Sequence, residues 1–221
     1  AGSGTTMSVG MVKIGDYVQL KSLSVAKYNN QGSDITNAAT LKVKVVGINP
    51  YKGTGLNTEA AKAHVVFQFE KVVTTRKMHS SSIDNYYSET EMRTYLTGNF
   101  YNGLKTAGVP DGVVWAVKRR IGANLGTEDL SDKVFLPTER EVFGSNTYAG
   151  TESNQGRLSA YQSASDRKKY NLGSSYVEWW LASVSGNMIY PTHFCSVDSS
   201  GDSEDLSCTN TSGVAPAFCI K

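Results

Sequence analysis

Cations almost vanish from the last quarter of this 221-residue sequence. Residues 171–221 hold Lys221 alone against Glu178, Asp198, Asp202, Glu204 and Asp205, a net charge of −4, while residues 1–170 hold 21 Lys/Arg against 15 Asp/Glu. Such a segment has lost the long side chains that usually solvate a surface, so something other than solubility shapes its composition; a Ser-rich loop region is the plain alternative. Proline is scarce, with 5 residues against 21 glycines, and hydrophobic residues make up 39%. That balance excludes collagen, a coiled coil and wholesale disorder. No run approaches the roughly 18 apolar residues a spanning helix needs, so no membrane insertion is expected. The overall net charge of +2 is too small to point to nucleic acid.

Cysteine is also scarce. Cys195, Cys208 and Cys219 all fall within the last 27 residues. An odd number cannot pair fully within one chain. Cys195 (His-Phe-Cys-Ser-Val) and Cys219 (Ala-Phe-Cys-Ile) sit in apolar strand contexts, so buried reduced thiols are expected, with a Cys195–Cys219 bridge as the alternative. There is no CxxC, and His64, His79 and His193 are scattered, so neither a metal nor any other cofactor is expected. A nucleophile elbow, a phosphate loop, a dinucleotide fingerprint and an HExxH motif are all missing. The Gly53-Thr54-Gly55 stretch lacks the setting of a phosphate loop and reads as a turn.

The opening AGSGTTMSVG is small and polar, without the apolar core of a signal peptide. Residues 1–10 read as a loosely held segment, either a cloning remnant or the end of a longer protein. Residues 11–221 then form a single domain, long enough to bury a core without staples.

Within it, Met11–Leu20 reads as a strand or hairpin arm around a Gly-Asp turn. Leu41–Ile48 alternates, with Leu41, Val43 and Val45 facing one way and Lys42 and Lys44 the other. In 63–73, Val65, Phe67 and Phe69 oppose Val66 and Gln68, and the two runs should pair antiparallel. Ser88 and Glu91 read as a capping box opening a helix whose Met92, Leu96, Phe100 and Leu104 line one face, stopped by Gly108 and Pro110. Val113–Lys118 and 134–136 read as short strands. Thr138 and Glu141 cap a second helix closed by Gly144. Residues 154–163 read as a further short helix, and Asp166–Tyr170 as a solvated turn. In the last fifty residues, apolar pieces (179–182, 194–197, 214–220) alternate with polar stretches (183–192, 198–212), as core strands carrying surface loops. The fold class is therefore α+β.

Little here resembles catalytic chemistry. Glu139/Glu141 and Glu204/Asp205 are carboxylate pairs, but Glu141 belongs to a cap and the second pair to a loop. His193 reads as a strand-edge residue that could touch a ligand. The Lys118-Arg119-Arg120 cluster reads as a solvated turn. Trp179 and Trp180 alternate, so Trp180 and Ala182 should face one side and Trp179 and Leu181 the other, serving core, ligand stacking or both.

The frame Trp179-Trp180-Leu181-Ala182-Ser183, Phe194-Cys195-Ser196-Val197 and Gly213-Val214-Ala215-Pro216-Ala217-Phe218-Cys219-Ile220 resembles the C-terminal signature of C-type-lectin-like domains of the formylglycine-generating-enzyme kind. It is similar above all to those that diversity-generating retroelements target in phage and gut-bacterial proteins. Val65-Val66-Phe67-Gln68-Phe69, Ser88 with Glu91-Met92-Arg93 and Tyr95-Leu96, and Leu136-Pro137-Thr138-Glu139-Arg140-Glu141-Val142-Phe143-Gly144 extend the resemblance over residues 11–221. It implies small antiparallel sheets, two main helices and much irregular loop. It also implies an adenine-directed mutator acting on AAC or AAT codons, which cannot create Lys, Gln, Glu, Met or Trp. From Leu181 to Gly213, 33 positions, only Met188 and Glu204 are of those types. Ordinary composition would place roughly six or seven there, although a Ser/Asn/Asp/Gly-rich loop lowers the same count by itself.

A surface that tolerates such rewriting needs a frame whose stability does not depend on it, here Trp180, Phe194, Val197, Val214, Phe218 and Ile220. The resemblance thus implies a receptor-binding protein rather than an enzyme. It would sit at a phage tail tip or on a cell surface, bind a bacterial envelope protein or glycan, and form a homotrimer or join other virion proteins. The variable region would span about 177–212, with contacts from Trp179, Leu181, Val184, Met188, Ile189, Tyr190, His193, Ser196, Asp198, Asp202, Glu204 and Asp205. The alternatives are a virion structural module and an oxidase whose paired cysteines bind copper. No calcium-dependent sugar motif is visible.

Overall fold

The computed structural model describes residues 11–20, 22–38, 41–57, 63–83, 86–124, 126–150, 152, 156–186 and 191–221. The expectation for residues 1–10 lies outside them. The architecture is mixed α+β, with small sheets, few helices and long loops.

The strands are β1 Tyr17–Leu20, β2 Leu23–Val25, β3 Ile35–Ala38, β4 Leu41–Ile48, β5 Val65–Phe69, β6 Thr74–Arg76, β7 Val114–Trp115, β8 Val117–Ala123, β9 Gly126–Asp132, β10 Val134–Phe135, β11 Lys169–Tyr170, β12 Tyr176–Val177, β13 Trp179–Val184, β14 His193–Val197, β15 Ser203–Ser207, β16 Ser212–Val214 and β17 Ala217–Ile220. One sheet runs β1-β4-β5-β17-β10, with β7 also on β17; a second runs β15-β14-β13-β16-β6. Only β13 and β16 pair in parallel within it, at Trp179 and Gly213. Pairs β2–β3, β8–β9 and β11–β12 are two-stranded.

Alternation in the sequence divides two cores. Val65, Phe67 and Phe69 of β5 and Trp180, Ala182 and Val184 of β13 enter one. Val66 of β5 and Trp179 and Leu181 of β13 enter the other, with Cys195, Val197 and Cys219. The expected facing of both strands is therefore observed, and both faces are covered. Strands buried on both sides read as continuous apolar runs, as 179–182 does. All three cysteines are buried free thiols.

Residues 91–106 form the main helix as α1 Glu91–Tyr95, a π-helical turn Leu96–Phe100 and α2 Tyr101–Thr106. The π turn answers the sequence spacing. Apolar residues at strict i+4 drift by about 40° per step around an α-helix. The wider π turn absorbs that drift, so Met92, Leu96, Phe100 and Leu104 all reach the same core. The cap is Thr90, not Ser88: its hydroxyl accepts from Arg93 N at 3.0 Å. Glu91 instead accepts hydrogen bonds from Ser80 Oγ and Asn29 Nδ2, both at 2.8 Å. Tertiary donors outcompete the local box. The second helix, α3 Glu139–Phe143, has the expected capping box of Thr138 and Glu141, and Gly144 ends it at φ +80°.

Two further expectations are corrected. Gly156–Ser163 is not helical; a single turn, α4 Ala164–Arg167, follows it with Ser163 as cap. The run 166–170 is not a solvated turn throughout, because Lys169 is buried against Phe69 O at 2.8 Å.

Candidate functional site

The strongest polar feature is buried and structural. Lys118-Arg119-Arg120 is not a solvated turn but part of β8, and strand alternation decides its fate. Arg120 points out to Asp129, while Arg119 points in with its partner Glu141 at 3.0 Å, both fully buried. Arg119 also donates to Leu136 O at 2.9 Å and lies over the Phe135 ring. Glu141 accepts from Tyr51 Oη and the Thr138 amide as well. Glu139, buried beside it, accepts the amides of Thr147, Tyr148 and Ala149 and the Ser203 hydroxyl. Glu152 accepts from Gly122 N, Arg140 N and Ser183 Oγ. These carboxylates replace secondary structure in holding the irregular segment 145–150 against β13, since buried amides must find acceptors somewhere.

Burial, opposed by those hydrogen bonds, raises the Glu152 carboxyl to about 7. A carboxyl raised on folding favours the protonated native state. Its contribution to stability is therefore full below about pH 4.5, declines as pH rises toward 7, and is flat beyond. The decline should total at most about 3 kcal/mol. Urea denaturation between pH 5 and 8 should show it, and Glu152→Gln should flatten it; an unchanged slope in that variant would refute the assignment.

The expected contact residues divide by burial. Trp179, Leu181, Val184 and Ser196 are buried, not surface contacts as expected. Each has a structural use. Trp179 is covered by Tyr161 and donates Nε1–H to Arg167 O at 2.9 Å. Leu181 and Val184 fill opposite cores. Ser196 donates to Glu178 Oε1 at 2.7 Å. Met188, Ile189 and Tyr190 lie outside the described residues.

The remaining five gather along the free edge of the second sheet, where β15 pairs only with β14 among the described strands. Asp198 shapes the turn into it, accepting from Ser200 N and Asp202 N, both at 2.8 Å. Gly201 in that turn sits at φ +91°, and any Cβ would stand 2.1 Å from Ala164 O. Asp202 and Glu204 are exposed. Register opposes Cys195 to Asp205 and Ser196 to Glu204, so Asp205 and Glu204 project from opposite faces. Asp205 accepts from Ser185 Oγ at 2.8 Å and lies 3.6 Å from His193 Nδ1. On the other face, burial and then nearby Glu204 and Asp198 raise the Glu178 carboxyl, against its bond from Ser196. The edge is thus acidic on both faces.

Sequence reasoning missed Tyr148, Glu178 and Ser185. The Tyr148 hydroxyl is raised, first by its surroundings and then by Glu204 and Asp205. Only the strand register brings these residues together, and no local motif marks it. The cysteines are in the second core, and burial pushes both the Cys195 and Cys219 thiols up. Among the described residues no cluster of three or more His, Cys, Asp or Glu side chains is placed to hold a metal ion.

Residues 62–221 match the family profile described as Domain of unknown function (DUF6273). The chain belongs to the DUF6273 family. That match begins just before β5 and takes in both β13–β17 and the buried Arg119–Glu141 pair. It leaves out β1–β4, although β4 pairs with β5 and sends Leu41, Val43 and Val45 into the first core. No curated protein and no solved structure matches the chain.

Proposed function

We propose that the chain is a non-catalytic receptor-binding protein with a C-type-lectin-like frame. It is displayed at a phage tail tip or on a cell surface, is diversified by a retroelement, and binds a bacterial envelope protein or glycan. One observation supports this best. Strands β13, β14 and β16 are saturated by two cores, while the polar strand β15 and its turn hang on the open edge of β14. Side chains such as Asp202 and Glu204 can change there without emptying any core volume. An open edge strand and rim charges suit a macromolecular partner, whose on-rate such charges tune.

The test is a binding titration against bacterial envelope fractions. Asp202→Asn with Glu204→Gln should chiefly change the salt dependence of association. Tyr190→Ala should weaken binding by about 2 kcal/mol, as an aromatic anchor does. Lys118→Ala, on the β8–β9 hairpin, is the control; Arg119 cannot serve, because it is buried. Loss of binding in Lys118→Ala with both other variants intact would move the site elsewhere.

A further inference from the structure

A cleft of about 450 Å³ lies beside the start of β11. Its size falls within the roughly 300–1,000 Å³ typical of small-ligand sites. Lys169 lines it, only 6% exposed. Its ammonium donates to Phe69 O at 2.8 Å and lies 5.1 Å from the Trp179 ring. Among the described residues no carboxylate forms an ion pair with it, whereas a buried cation normally requires one.

The carboxylates in the wall are committed elsewhere. Glu70 pairs with Lys44 at 2.5 Å. Asp166 accepts from the Ser163 amide and hydroxyl, both at 2.8 Å, at the start of α4. Lys168 adds a second cation to the wall, set over the Tyr176 ring. One side is aromatic: Tyr170 and Tyr176 stack with centroids 4.1 Å apart, their hydroxyls 2.8 Å from each other, and both remain exposed. A flat π-face attracts the weakly positive C–H groups of a sugar ring, and hydroxyl and ammonium groups around it offer hydrogen bonds.

We propose that this cleft binds a carboxylated saccharide. Lys169 and Lys168 supply the counter-charge to its carboxylate, and the outer face of Tyr170, backed by Tyr176, carries a C–H face of its ring. The cations demand an anion, and the hydroxyl and ammonium groups beside the aromatic stack favour a polyhydroxylated ligand over a purely aromatic acid. This goes beyond the edge surface and does not depend on it.

Proton linkage supplies an independent readout. Burial, reinforced by Lys44 and opposed by Glu70, lowers the Lys169 amine to about 7. The other ionisable groups in the wall are Asp166, Lys168, Tyr161, Tyr170 and Tyr176. A bound carboxylate favours the ammonium form of Lys169, so binding takes up a proton above neutral pH and tightens as pH falls from 8 to 6.

The experiment is isothermal titration of the purified protein with glucuronate, glucose and benzoate, in buffers of differing ionisation enthalpy. Glucuronate should bind saturably with proton uptake at pH 7.5, and about tenfold tighter than glucose or benzoate. Lys169→Met should abolish binding and Tyr176→Ala should weaken it about tenfold, with melting curves checking that each variant folds. Should Lys169→Met fail to fold, proton uptake and the Tyr176 variant decide the matter. Absence of saturable glucuronate binding, equal binding of benzoate, or binding without proton uptake would overturn the proposal. Free sugar is the probe, so the outcome is independent of whether envelope fractions bind.

Discussion

Arg119→Ala should destabilise the protein by about 3–5 kcal/mol, the usual cost of breaking one partner out of a buried ion pair. Glu141 would be left without its cation, in a site fully closed to solvent. Leu136 O would lose its donor, and the space over the Phe135 ring would empty. The damage should spread, because Glu141 also completes the cap of α3 and accepts from Tyr51 Oη. Replacing both partners, Arg119→Met with Glu141→Gln, should cost less than Arg119→Ala alone, since no charge remains stranded. Urea denaturation of the single and double variants measures this. If Arg119→Ala lies within about 1 kcal/mol of the parent, β8 does not carry a buried pair.

Trp180→Ala should cost a similar amount, about 3–5 kcal/mol, through a different mechanism. The indole fills the first core and donates Nε1–H to Arg76 O at 2.8 Å. Truncation leaves a cavity that well-packed neighbours cannot fully close, and an acceptor without its donor. Trp180→Phe separates the two effects: it keeps most of the volume and loses only the hydrogen bond, so about 1–3 kcal/mol is expected. A melting curve for Trp180→Ala that overlays the parent would show that this residue is not part of the frame.

These two residues also mark what could be read in the sequence. Tryptophan in an apolar alternating run announces burial, and Trp180 is where alternation puts it. Arg119 obeys the same alternation, between Val117 and Ile121, both buried. Its charge type argued for solvent, and charge type was the poorer guide. Leu41–Ile48 and Val65–Phe69 were legible because period-2 patterning is local. The π turn at Leu96–Phe100 was not, because the same i+4 spacing is first read as an ordinary helix. Ser88 lost its capping role to Thr90 through tertiary contacts: its amide donates to Glu128 Oε1 at 2.9 Å, and Ser80, Asn29 and Gln31 occupy Glu91.

The candidate surface was legible in part for the same reason. Exposed Asp202 and Glu204 follow from a polar stretch between core strands. Trp179, Leu181, Val184 and Ser196 were misplaced because no sequence pattern reveals a second core behind a strand. The cover over Trp179 comes from Tyr161 and Lys169, neither adjacent in sequence. Lys169 itself was read as solvated, since a buried lysine beside Phe69 depends entirely on tertiary contacts.

The central claim is a fixed frame carrying a rewritable surface. Sequencing many copies of the coding locus tests it most directly. The account predicts differences confined to residues 177–212 and absent within that span from the buried strand residues Trp179, Trp180, Leu181, Ala182, Val184, Phe194 and Val197. Differences spread evenly over residues 11–221, or concentrated in those buried strand positions, would contradict it.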